Sequence, residues 1–319
     1  MTILKAGAVL AGRYRLEARI ATGAEAEVWR AADLTMRRPA AIKFLREQFA
    51  RSPACLARFQ AETRHAGSLS HPGIVQVYGY HDARPQLPPY LVMDLAAGPS
   101  LAEMLSGGPL GAAAAMGITA SAAAGLAAVH GAGLVHRDIK PGNLLLAGGR
   151  VNITGFGLAC PAGPAVLPPA GRLAGAPAYL APERAAGWPA TPASDLYSLG
   201  VVAYECLAGQ PPFQGTPLRV AAAHQRLPLP PLPARVPAPV AALVARLSAK
   251  DPLARPPRAA EAARQAGQLR DALSGRATVV LTRPPRRRPA TFTDTGRSTL
   301  LTGRRATDPR TGHRPRRHR

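Results

Sequence analysis

Between residues 13 and 45, apolar side chains recur in short alternating runs broken by turn residues. Leu16, Ala18 and Ile20 sit two apart, Val28 and Trp29 follow a glycine-containing turn, and Ala40, Ala41 and Ile42 lead into Lys43. A period of two suits a pleated backbone, so this stretch is predicted to form short strands. Over residues 52–70 the period changes, and Leu56, Phe59 and Ala66 fall on one helical face. Strand character returns at Val75 to Tyr78 and at Tyr90 to Met93. From residue 100 onward, Ala-rich helical segments are separated by Pro/Gly loops. The predicted outcome is an α+β chain with a small strand-rich lobe (about 11–93) and a larger helical lobe (about 97–268).

Past residue 275 the periodicity stops. Residues 276–319 hold thirteen arginines against two aspartates, many threonines and few large apolar groups. Such a segment cannot bury enough apolar surface to offset its ordering entropy, so 275–319 is expected to be a disordered basic tail. It carries half of the chain's formal charge of +22. The rest of the imbalance, 40 basic against 18 acidic residues, is also mostly arginine, since Lys5, Lys43, Lys140 and Lys250 are the only lysines. Either a GC-rich coding sequence or an acidic partner accounts for this. The tail could meet an anionic leaflet or nucleic acid. Its single aromatic, Phe292, argues against specific base stacking.

Cys55, Cys160 and Cys206 are scattered singly, which suits a reducing, cytoplasmic setting and argues against a disulfide framework or zinc site. Met1 to Arg13 lacks the apolar core of a signal peptide. Residues 104–129 carry no charge and are long enough to span a bilayer. They are mostly Ala and Gly, so a helix packed inside a domain is expected and no transmembrane segment is predicted. Pro230-Pro231-Leu232-Pro233-Ala234-Arg235 fits a polyproline-II ligand pattern, but its place between two late helices makes a structural loop the expected reading.

The densest chemistry lies in His136-Arg137-Asp138-Ile139-Lys140-Pro141-Gly142-Asn143. This run resembles the catalytic loop of the bacterial Ser/Thr protein kinase family. Ala40-Ala41-Ile42-Lys43, Glu62, His71-Pro72-Gly73-Ile74-Val75, Ala181-Pro182-Glu183, Ser194-Asp195 and Arg255-Pro256 stand at the family's other landmarks. The resemblance implies a bilobal kinase fold over 11–268 and a site for ATP. In that site Lys43 would contact the α/β-phosphates and Glu62 would fix its direction. Asp138 would orient the acceptor hydroxyl and take its proton, while Lys140 offsets charge on the γ-phosphate. Asn143 would ligate magnesium. Val28, Ala41 and Leu145 would sandwich the adenine, with Met93 and Asp94 to Ala96 as back wall and hinge. Ile20 and Gly23, around the glycine loop, complete the expected nucleotide-binding set. The resemblance further implies an ion pair between Glu183 and Arg255, and a brace under the catalytic loop from Asp195.

Three departures weaken the chemistry. The family's metal-binding Asp-Phe-Gly reads Gly155-Phe156-Gly157, so the carboxylate is missing. Loss of that Lewis-acid support predicts a rate penalty of about a thousandfold or more. The glycine loop reads Ala21-Thr22-Gly23-Ala24-Glu25-Ala26, with alanines restricting backbone approach to phosphate. Finally, no Ser or Thr occurs from Phe156 to Glu183, where an activation phosphate would fall, and Gly175-Ala176 replaces the family's Gly-Thr. The expectation is a nucleotide-binding pseudokinase that scaffolds or regulates a partner. An active ATP-dependent kinase tolerating the missing Asp is the alternative, with an unknown protein substrate.

Overall fold

The structure is a computed structural model that describes residues 4–23, 26–84, 87–156 and 177–275. These fall in one compact unit, residues 1–280, and residues 281–319 form a second unit outside the described set. The first lobe is a six-stranded antiparallel sheet with the order β1-β2-β3-β4-β6-β5. Its strands are β1 (Val9–Leu10), β2 (Tyr14–Thr22), β3 (Ala26–Asp33), β4 (Arg38–Leu45), β5 (Val77–His81) and β6 (Tyr90–Asp94). The short helix α1 (Glu47–Ala50) and the longer α2 (Pro53–Gly67) join β4 to β5.

Alternation along β4 divides this lobe's core. Ala40, Ile42 and Phe44 pack with Leu16, Trp29, Tyr90 and Val92. Ala41 and Leu45 face the other way, with Phe59, Ala66, Val75, Leu91 and Met93. Lys43 shares that second face by register, which directs it between the sheet and α2. The alternation read across Leu16, Ala18 and Ile20 does not persist. The β2–β3 register shifts between Leu16 and Ala18 and again between Arg19 and Ala21. These bulges leave Ala18 and Ile20 exposed.

The second lobe begins with α3 (Leu101–Leu105) and α4 (Ala112–Gly131). A reciprocal Ser100–Glu103 capping box starts α3. The small hairpin β7 (Leu144–Ala147) and β8 (Arg150–Ile153) follows, then α5 (Pro182–Ala185), α6 (Pro192–Ala208), α7 (Pro217–Arg226), α8 (Ala238–Leu247) and α9 (Ala259–Ser274). Helix α4 is long and apolar enough to cross a membrane, yet 56% of its most apolar stretch is buried inside the fold. Its Ala and Gly positions allow close approach, and it packs mainly on α9, α6 and β8. A Cβ at Gly125 would lie 2.8 Å from Ile153 Cδ1 and 3.0 Å from the Gly73 carbonyl oxygen. Only glycine fits there without a shift in the neighbours.

Some boundaries differ from the sequence expectation. The strand anticipated at Val75 to Tyr78 runs instead from Val77 to His81. Val75 is drawn away because its N–H donates to the Ile153 carbonyl at 2.9 Å, while Ile153 N–H donates to the Gly73 carbonyl at 2.8 Å. The pair β7–β8 escaped the periodicity because four-residue strands give no sustained alternation. The proline-rich stretch is engaged by the fold. Leu229, Leu232 and Val236 pack on the helical core, and Arg235 donates to the Leu207 carbonyl at 2.8 Å.

Candidate functional site

The segment after α4 is fixed from beneath by one buried carboxylate. Asp195, on the first turn of α6, accepts the backbone N–H groups of His136 and Arg137, each at 2.8 Å. It also pairs with His130 Nε2 at 2.9 Å. These bonds hold Arg137 at φ +73°, a left-handed conformation that a non-glycine residue keeps only when its surroundings enforce it. His136 is fully buried, and burial lowers its pKa, so the ring is neutral. Its Nδ1 accepts from Asp138 N–H at 3.3 Å, which leaves Nε2–H to donate to the Thr154 carbonyl at 3.1 Å. The segment from His136 to Asn143 is thereby tied to the residue just before Gly155.

Asp138, Lys140 and Asn143 converge as the sequence predicts. Lys140 Nζ lies 2.6 Å from Asp138 Oδ2. Asn143 Nδ2 donates to Asp138 Oδ2 at 2.8 Å and to the Asp138 carbonyl at 2.7 Å. Both amide hydrogens of Asn143 are therefore directed at one residue. Backbone turns support this: Asn143 N–H donates to the Lys140 carbonyl at 3.0 Å, and Thr154 N–H to the Asn143 carbonyl at 2.9 Å. Gly155 follows at φ +85°. A Cβ built there would lie 2.7–2.8 Å from Asn143 Cγ, Nδ2 and Oδ1. The amide of Asn143 thus occupies the space into which a side chain at 155 would have to grow.

The expected adenine walls also meet. Val28, Ala41, Met93, Ala96 and Leu145 belong to one apolar cluster with Phe156. Gly98 lets the segment after β6 approach the β7 backbone, since a Cβ there would come within 1.8 Å of the Leu146 carbonyl oxygen. Lys43 lines a cavity of about 20 Å³ with Thr63, Leu91, Met93, Thr154 and Gly155. Ile20 is half exposed, and Asp94 and Gly23 face solvent, with Gly23 N–H closing the β2–β3 turn onto the Ala26 carbonyl at 2.8 Å. The side chain of Glu62 lies outside the described set, as do Ala24, Glu25 and residues 157–176, so its pairing with Lys43 and the glycine-loop tip are not described.

Magnesium does not fit these residues well. It favours octahedral oxygen ligation with at least one carboxylate and several waters. Among the described residues no cluster of three or more His, Cys, Asp or Glu side chains could hold a metal ion. Asp138 already receives two donors, and Asn143 Oδ1 is left as the remaining neutral acceptor.

Several features were missed in the sequence. Beside Lys140 a groove of about 370 Å³ is lined by Leu105, Ser106, Gly142, Tyr179 and Glu205. Tyr179 Oη donates to Glu205 Oε2 at 2.7 Å, and burial raises the pKa of both groups. No local pattern links residues 26 positions apart. Cys206 is a free buried thiol, pushed by burial up to about 12, and Cys160 lies outside the described residues. The ion pair implied for the large lobe is present and bidentate. Arg255 Nη1 and Nη2 reach Glu183 Oε1 and Oε2 at 2.8 and 2.9 Å, with the Arg255 side chain fully buried.

Comparison with known proteins identifies the family and the fold. The family described as the protein kinase domain matches residues 14–266. The serine/threonine-protein kinase PknA of Mycobacterium tuberculosis is 41% identical over 257 residues, covering 79% of this chain and 60% of PknA. A serine/threonine-protein kinase of Corynebacterium efficiens is 39% identical over 248 residues, covering 76% of this chain and 48% of that protein. The chain therefore spans less than two thirds of the length of either relative. Among solved structures, the kinase domain of Mycobacterium tuberculosis PknI aligns with a TM-score of 0.69 at 25% identity, over 83% of this chain and 98% of that one.

Proposed function

The chain belongs to the protein kinase domain family, within its bacterial serine/threonine branch, and from that premise we propose that it binds an ATP-class nucleotide while transferring phosphate poorly or not at all. The observation that carries this reading is glycine at 155 in place of the family's metal-binding carboxylate, with the Asn143 amide 2.7–2.8 Å from where a Cβ would sit. Phosphoryl transfer depends on positioning and on neutralising charge, with little covalent chemistry supplied by the protein. Lys43, Asp138 and Lys140 are retained for positioning, whereas the anchor for a charge-neutralising metal is absent. The protein's role is then to scaffold or allosterically regulate a partner.

A second reading is favoured by the intact loop. Asp138, Lys140 and Asn143 are in mutual contact and Asp195 braces them, as an active protein kinase requires. Transfer of the ATP γ-phosphate to a generic basic protein, with magnesium and with manganese, separates the two, with Asp138→Ala as control. The pseudokinase reading expects turnover at least about a thousandfold below the ordinary ~1–100 per second of kinases. Turnover in that ordinary range, abolished by Asp138→Ala, would establish the second reading instead.

The cytoplasm is the proposed compartment because the nucleotide is there. An anionic surface is proposed as a contact for the arginine-rich segment 276–319.

A further inference from the structure

We propose that this site takes its nucleotide without a divalent cation, and that the contact between Gly155 and Asn143 is what makes it metal-independent. The inference rests on the nucleotide-binding reading above and specifies the ionic form of the ligand.

A carboxylate at position 155 would face the phosphates of a bound nucleotide. Two like charges in a partly buried cleft repel, and a divalent cation between them is the usual remedy. Glycine removes that repulsion together with the ligand. The space is not left open, because Asn143 Cγ, Nδ2 and Oδ1 lie within 2.7–2.8 Å of where a Cβ at 155 would sit. Asn143 is held there by its two bonds to Asp138, at 2.7 and 2.8 Å. Asp138, the carboxylate that Asn143 bonds, is matched by Lys140 at 2.6 Å.

Positive charge for the phosphates is then supplied by the protein. Lys43 lines the cavity that reaches Gly155, and Lys140 shares Asp138 Oδ2 with Asn143, at 2.6 and 2.8 Å. Lys140 also lines the neighbouring groove. The φ of +85° at Gly155 reinforces the arrangement, since a side chain there would strain the backbone as well as displace Asn143.

Isothermal titration of the full chain with ATP, in excess EDTA and in excess magnesium, tests this directly. The expected result is a dissociation constant in EDTA within about threefold of that in magnesium. Gly155→Asp restores a carboxylate and should weaken binding in EDTA at least tenfold, with recovery in magnesium. Lys43→Ala should weaken metal-free binding at least tenfold. Wild-type binding that tightens tenfold or more with magnesium would overturn the inference and leave the nucleotide-binding reading standing. No ATP binding in either buffer would overturn both. If Gly155→Asp does not fold, the wild-type comparison alone decides the matter.

Discussion

Asp33 shows how one buried charge is made tolerable. Its carboxylate receives Arg13 Nε and Nη2 at 2.8 and 2.7 Å, and the backbone N–H groups of Thr35 and Met36 at 3.1 Å. The Arg13 bonds come first among the causes that lower its pKa from 3.8 to about 2. A carboxyl held below its ordinary value stabilises the fold at neutral pH. That contribution is fully present above 3.8 and is lost as pH falls through about 2. Asp33→Asn is therefore expected to be less stable than wild type at neutral pH, with the gap closing as the solution is acidified. Urea midpoints of the two proteins between neutral pH and pH 2 measure this; a gap that widens on acidification would contradict it. At position 155 the same scale applies, since glycine offers neither a carboxylate ligand nor a charge.

Among the elements, α4 is the clearest case of composition being used for packing. Its apolar length meets the requirement for a membrane span, yet its small side chains bring it against β8 and α9. Gly125 and Gly131 sit in the same helix with opposite surroundings. Gly125→Ala gains helix propensity of roughly 1 kcal/mol but drives a methyl into Ile153 and the Gly73 carbonyl. Overpacking of this kind costs about 1–3 kcal/mol, so a net loss of stability is expected. Gly131→Ala meets nothing within 4 Å and should be neutral or stabilising by up to about 1 kcal/mol. Thermal melts of the two variants should move in opposite directions. If Gly125→Ala were the more stable of the pair, the contact between α4 and β8 would be looser than described.

For the whole molecule, distant segments are joined by buried polar pairs. Glu183 and Arg255 stand 72 positions apart and form a bidentate pair with Arg255 fully buried. Burial would raise the Glu183 pKa, but the bonds from Arg255 and Ser194 prevail and hold it below its ordinary value. Glu183→Ala would leave a buried guanidinium with the carbonyls of Ala193, Ala249 and Lys250 and the Tyr197 ring. Removing one partner of a buried pair costs about 3–5 kcal/mol, so a fall in Tm of order 10 °C is expected by differential scanning calorimetry. A fall under about 2 °C would show that these contacts suffice. By itself the sequence determined the two lobes, the run His136 to Asn143, the apolar positions Val28, Ala41, Met93 and Leu145, and the glycine at 155. Those features are local, or follow a spacing that a motif preserves. Only the tertiary structure decided that β2 bulges leave Ile20 exposed, that Val75 pairs with Ile153, that Tyr179 meets Glu205, and that the amide of Asn143 fills the space beside Gly155. Each depends on backbone approach between segments far apart in the chain, and no periodicity along one segment records where another will pass.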